Sequence, residues 1–147
     1  MKASILKKSL ISMIDSKIPV FVWGNPGVGK SSIIKQIAND KNMEFIDLRL
    51  SLLDPTDLRG IPFFDSANKS AIWAKPEFLP NSNSQAFGIL FLDEINSAPP
   101  TVQAAAYQLI LDRKIGEYTL PMNYAIVAAG NYESDRGVTY SMPTPLA

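Results

Sequence analysis

Eight residues, Gly24-Asn25-Pro26-Gly27-Val28-Gly29-Lys30-Ser31, constrain this chain more than any other stretch. They follow the pattern G-x-x-x-x-G-K-S, whose glycines let backbone N–H groups turn inward around a phosphate where a Cβ would obstruct them. In such a loop Lys30 reaches the β- and γ-phosphates as a point charge, and the Ser31 hydroxyl can ligate Mg²⁺. The loop must lead into a helix, whose N-terminus adds partial positive charge. The flanks agree with this order. Pro19-Val20-Phe21-Val22-Trp23 is a short apolar run, expected to be a buried strand, and Ile33, Ile34, Ile37 and Ala38 recur at helical spacing before a stop at Asn39-Asp40. Gly24 to Ser31, together with Ser32, are the candidate nucleotide-binding residues.

Composition narrows the remaining possibilities. With 147 residues and 46% hydrophobic content, one globular domain with a real core is expected. Fourteen basic and fourteen acidic residues cancel, so no global field favours nucleic acid or an anionic membrane. The chain has no cysteine and no histidine, which excludes disulfides, thiolate metal sites and His-dependent triads. Leu6, Leu10, Met13 and Ile14 line one face of an N-terminal helix whose lysines lie elsewhere, an amphipathic packing helix rather than a signal peptide. No run approaches membrane-spanning length, so a soluble cytoplasmic protein is expected.

Strands and helices alternate along the chain. The pattern predicts a helix around Ser4–Ser16, a strand at Val20–Trp23, a helix to about Asn39 and a strand near Met43–Leu48. Prolines punctuate Ser51 to Pro80, where Ile61–Phe64 and Ala71–Ala74 flank a polar turn and read as a β-hairpin insertion. Gly88–Leu92 is a third buried strand. Pro99-Pro100 opens a helix with Val102, Ala105, Ala106, Leu109 and Ile110 at i, i+3, i+4, i+7 and i+8. Lys114–Leu120 reads as a small hairpin around Gly116, and Tyr124–Ala128 as a fourth apolar strand. Strands apolar throughout and alternating with helices imply an α/β fold, with a parallel sheet covered on both faces.

A second constellation follows from that sheet. Ile89-Leu90-Phe91-Leu92 runs into Asp93 and Glu94, placing two carboxylates at the carboxyl edge where open α/β sheets bind ligands. The glycine loop leaves its own strand at the same edge. Asp93 would then hold Mg²⁺ alongside Ser31, and Glu94 could take a proton from an attacking water. The fourth strand ends in Gly130-Asn131, where the Asn131 amide could hydrogen-bond a γ-phosphate or the water; alone, Asn131 reads equally as a turn residue. Catalytic candidates are therefore Glu94, Lys30 and Asn131. No Asn-Lys-x-Asp guanine signature occurs, since Asn68-Lys69 is followed by Ser70-Ala71, so ATP is favoured over GTP.

Together these elements resemble the AAA+ ATPases: a Walker A loop at Gly24–Ser31, a Walker B strand at Ile89–Glu94 and a sensor-1 asparagine at Asn131. Asp54-Pro55-Thr56-Asp57-Leu58-Arg59-Gly60, the Trp73 region, Ser97-Ala98-Pro99-Pro100 and Ala128-Ala129-Gly130-Asn131 are similar to the MoxR-like branch. The resemblance implies a P-loop NTPase three-layer αβα sandwich whose four strands here lie in the order 1-4-3-2. It further implies a hairpin insert in helix 2, matching Ile61–Ala74, and a second hairpin before sensor 1, matching Lys114–Leu120. ATP and Mg²⁺ are the implied cofactors, a homo-oligomeric ring the implied assembly, and chaperone-like remodelling of an unnamed client protein the implied task.

In the MoxR-like branch an arginine finger, a fifth strand and a helical lid follow a segment resembling Ser141–Ala147. Read by that resemblance, the chain is a P-loop core without those parts, with its first strand at a sheet edge. Its own expected behaviour is nucleotide binding with little hydrolysis, because charge stabilisation supplied by a neighbour contributes on the order of 10³-fold or more. Arg136 lies near the sensor-1 loop and is not assigned the finger role. Phe63, Phe64 and Trp73 on the insertion read equally as core packing or as substrate contacts. The alternatives to a remodelling ATPase are a subunit of a restriction-type nucleic-acid motor and a nucleotide-binding module without hydrolysis. Neutral charge argues against direct nucleic-acid contact.

Overall fold

The computed structural model describes residues 3–24, 29–53, 61–65, 70–74, 78–81, 83–116 and 118–131. In chain order these form α1 (Ala3–Asp15), β1 (Val20–Trp23), α2 (Lys30–Asp40), β2 (Glu44–Arg49), β3 (Ile61–Asp65), β4 (Ser70–Ala74), β5 (Gly88–Asp93), α3 (Pro100–Asp112), β6 (Lys114–Ile115), β7 (Tyr118–Thr119) and β8 (Tyr124–Gly130). Single 3-10 turns cover Leu50–Leu52 and Ile95–Ser97. Asn25–Val28, Asp54–Gly60, Arg136 and Ser141–Ala147, all singled out in the sequence, lie outside the described residues, as do the side chains of Leu6, Phe63, Phe64 and Trp73.

Four strands make one parallel sheet in the order β1-β8-β5-β2, which is the expected 1-4-3-2. Because successive side chains point to opposite faces, each strand feeds two cores. On one face Val20, Val22, Ile89, Phe91, Ala125, Val127 and Ala129 pack with Leu10 and Ile14 of α1 and with Ile34, Ile37 and Ala38 of α2. On the other, Leu48, Leu90, Leu92, Ile126 and Ala128 pack with Val102, Ala105, Ala106, Leu109 and Ile110 of α3. The result is the α/β, three-layer αβα sandwich. Every one of those five α3 positions is buried, as their spacing required. β3 and β4 pair antiparallel as the predicted insertion, and β6 and β7 form the small hairpin. None of the described helices is long and apolar enough to cross a membrane.

Two details depart from the pattern. Met13 is exposed, so the buried stripe of α1 is Leu10 and Ile14 with Ile11 half-buried. A helix resting on a sheet edge covers less than the full apolar arc its sequence offers. Gln103 and Tyr107, polar by type, are buried on α3; Tyr107 Oη donates to Gln103 Oε1 at 2.7 Å, and Gln103 Nε2 donates to the Ala98 carbonyl at 2.9 Å. This chain of bonds satisfies groups that would otherwise carry a desolvation penalty.

At the other end of the sheet, Tyr124 lies fully buried across Gly88, with its hydroxyl donating to the Glu44 carboxylate. A Cβ on residue 88 would sit 2.2 Å from the Tyr124 ring, which is pinned at both ends. Gly88→Ala therefore costs about 2–3 kcal/mol by overpacking and lowers Tm by roughly 5–10 °C, measurable by thermal circular dichroism.

Candidate functional site: a lysine and two strand-end loops

Three parallel strands end at one edge, and each delivers a chemical group there. β1 leads from Trp23 into Gly24, β8 from Gly130 into Asn131, and β5 ends at Asp93 itself, one residue further than the apolar run suggested. Gly29 caps α2 in the left-handed region with φ 80°, a conformation that glycine alone adopts without strain. The first-turn amides of a helix cannot be satisfied within it, so the Ser31 and Ser32 N–H groups have no intrahelical acceptor at the start of α2.

Lys30 occupies the centre. Although charged it is buried, and its Nζ donates to the Gly24 carbonyl at 3.1 Å, the Gly130 carbonyl at 3.3 Å and Asn131 Oδ1 at 2.9 Å. The Gly24 N–H also donates to the Gly130 carbonyl, at 3.3 Å. The ammonium thus ties the start of the glycine loop to the tip of β8, a hundred residues away in sequence. Asn131, with 4% of its surface exposed, is a buried member of this cluster rather than a surface turn residue.

The carboxylates form the other flank. Burial pushes the Asp93 carboxyl up from the usual carboxylate range, and the neighbouring Glu94 and Asp47 carboxylates push the same way. The hydrogen bond from the Glu94 N–H to Asp93 Oδ1, at 2.8 Å, and the Lys30 charge pull in the opposite direction. A half-buried carboxylate and a hydroxyl, those of Asp93 and Ser31, are oxygen donors of the chemical kind that Mg²⁺ accepts. That ion takes one or two protein oxygens and completes its shell with phosphates and water. Among the described residues no group of three or more acidic side chains forms a self-sufficient metal cage.

Glu94 is held differently. It adopts the left-handed conformation, φ 57° and ψ 41°, which costs a non-glycine residue on the order of 1 kcal/mol and turns its side chain out of the strand line. Its carboxylate accepts a hydrogen bond from Ser51 Oγ and lies 4.0 Å from Arg49 Nε. Both partners come from β2 and the turn after it, and neither was anticipated from sequence. Asn96 was missed as well. Only 2% exposed, it bonds both backbone groups of Asn131, with Oδ1 accepting the N–H at 3.1 Å and Nδ2 donating to the carbonyl at 2.5 Å. Its sequence signal is slight: Asn96 follows Ile95 and, with Ser97, separates it from Ala98, both of them fully buried.

A lysine-capped glycine loop and a strand-end acid, meeting at the carboxyl edge of a 1-4-3-2 parallel sheet, define the class: an α/β domain of the P-loop kind. The chain belongs to the ATPase family associated with various cellular activities (AAA), whose pattern it matches over residues 19–146. It is 30% identical over 107 residues to the replication factor C large subunit of Ignicoccus hospitalis, a match covering 73% of this chain and 20% of that protein. A candidate ATPase from Cytophaga hutchinsonii superposes with TM-score 0.63 at 22% identity, covering 95% of this chain and 41% of that one. NtrX from Brucella abortus in complex with ADP gives TM-score 0.61 at 17% identity, with coverage of 98% and 33%. A point mutant of RuvB from Thermotoga maritima gives 0.61 at 19%, with 99% and 42%. At these identities the structural likeness establishes the fold. The chain spans about a fifth of the curated relative's length.

Proposed function

We propose that this chain is the nucleotide-binding core of a Mg²⁺-dependent ATPase that works in a homo-oligomeric ring, of the MoxR-like kind, to remodel a partner protein. The observation that carries the reading is the Lys30 ammonium, buried and shared between Gly24 and Asn131 beside Asp93. A buried ammonium held by two carbonyls and one amide oxygen at the strand ends is placed to exchange some of these neutral acceptors for the anionic oxygens of a triphosphate.

Within this reading Gly24, Asn25, Pro26, Gly27, Val28, Gly29, Lys30, Ser31 and Ser32 bind the phosphates through backbone N–H groups, the ammonium and hydroxyls. Ser31 and Asp93 would hold Mg²⁺, which when bound offsets negative charge developing on the phosphates. Glu94 takes the proton of the attacking water, and its engagement with Ser51 and Arg49 sets the direction from which it does so. Asn131 offers its amide to the γ-phosphate end.

The test is ATP affinity measured with and without Mg²⁺ in the unmodified protein and in Asp93→Asn. Mg²⁺ is expected to strengthen ATP binding in the former by about tenfold or more, and by less than about twofold in Asp93→Asn. Equal Mg²⁺ dependence in both would remove Asp93 from the site. A second reading, a subunit of a nucleic-acid-processing motor, is favoured by the likeness to the replication factor C large subunit. Salt-sensitive retardation of duplex DNA by this protein would support it, and unaltered DNA mobility in low salt would count against direct contact.

A further inference from the structure

The Asn96 side chain spends both ends of its carboxamide on one residue. Oδ1 takes the Asn131 N–H and Nδ2 gives to the Asn131 carbonyl, so the backbone at 131 is gripped at two points from within a buried environment. The preceding residue is held to the same standard. A Cβ on Gly130 would lie 2.4 Å from the Trp23 ring and 3.0 Å from Asn96 Oδ1, so the close approach depends on glycine. With its backbone fixed, Asn131 retains only side-chain freedom, and its Oδ1 meets the Lys30 ammonium at 2.9 Å. Asn96 itself stands two residues beyond Glu94, in the 3-10 turn that the left-handed Glu94 initiates.

We infer that Asn96 is a positioning residue that ties the Glu94 turn to Asn131, so that the water-activating carboxylate and the phosphate-reading amide keep one geometry. The inference rests on the ATPase reading above. A purely architectural Asn96 would affect stability and leave the ratio of ADP to ATP affinity unchanged. A positioning Asn96 acts through Asn131, which lies at the γ-phosphate end, and so separates the two nucleotides. Loss of one hydrogen bond to a charged phosphate corresponds to about tenfold in affinity.

The experiment measures dissociation constants for ADP and for an ATP analogue with a β,γ-imido bridge, in Mg²⁺, on this chain. The variants are Asn96→Ala, Asn96→Asp, Asn131→Ala and the double Asn96→Ala/Asn131→Ala. Asn96→Asp keeps the size and the acceptor for the Asn131 N–H but sets a second acceptor against the Asn131 carbonyl. We expect each Asn96 variant to lose about tenfold in affinity for the ATP analogue while ADP affinity moves less than about twofold. The double variant is expected to be no weaker than Asn131→Ala. An unchanged ratio of the two affinities in either folded Asn96 variant, or additive losses in the double, overturns the inference. On the unmodified protein, the Asn96 side-chain amide resonance should shift more with the ATP analogue than with ADP, and equal shifts contradict it. Failure of the unmodified protein to bind ADP at all strikes instead at the ATPase reading, and the inference falls with it.

Discussion

Lys30→Ala lowers ATP affinity about 100-fold, because the ammonium contributes charge-assisted hydrogen bonds to the phosphates in a site shielded from water. The same change has a small effect on stability. Burying the ammonium carries a desolvation penalty, which its three oxygen acceptors offset only in part, so removing it shifts Tm by less than about 5 °C in either direction. Lys30→Arg gives nearly the same loss of affinity, since a planar guanidinium cannot occupy a pocket shaped by two carbonyls and one amide oxygen around a compact ammonium. Titration calorimetry paired with thermal melts separates these outcomes. A Lys30→Ala protein that binds ATP normally would place the phosphates elsewhere.

Glu94→Gln retains ATP but lowers turnover of the assembled protein by on the order of 10²–10⁴-fold, the range over which a positioned general base contributes. The glutamine keeps an oxygen able to accept from Ser51 Oγ, so the turn and its left-handed conformation survive while the basic carboxylate is gone. Phosphate release and bound nucleotide are measured on the same sample. Retained ATP with no phosphate release is the predicted pattern; unchanged release would remove Glu94 from the role of base.

How much of this was legible in the chain depends on the range of the interaction concerned. The strands Val20–Trp23, Gly88–Leu92 and Tyr124–Ala128 were visible as apolar runs because a parallel sheet covered on both faces demands them. The helix following Lys30 was visible because glycine, lysine and 3.6-residue periodicity coincide there. Asp93 and Asn131 could be named because each ends an apolar run, where polarity changes abruptly. Asn96, Ser51 and Arg49 escaped notice for a different reason. Their partners are Asn131 and Glu94, 35 to 45 residues away, and a single polar side chain leaves no periodic trace of a tertiary hydrogen bond. The exposure of Met13 has a similar cause: helical spacing defines an apolar face, but only the neighbouring elements decide how wide an arc of it is covered.

The tip of β8 shows the same division within a single tripeptide. Ala129 continues the apolar run of the strand, and Gly130 reads only as a turn residue until the Trp23 ring and Asn96 are seen against it. Asn131 has two readings by itself. It is buried and bonded to Lys30, far earlier in the chain, a contact that no local pattern announces.

Titrating this chain with ATP in the presence of Mg²⁺ tests whether Lys30, Asp93 and Asn131 form one wall of a magnesium-dependent ATP site at the carboxyl edge of the sheet. We predict saturable one-to-one binding with a dissociation constant in the range of about 1–100 μM, corresponding to roughly 5–8 kcal/mol, and loss of that binding in Lys30→Ala. No saturable binding by the folded protein at millimolar ATP, or equal binding by Lys30→Ala, would contradict the account.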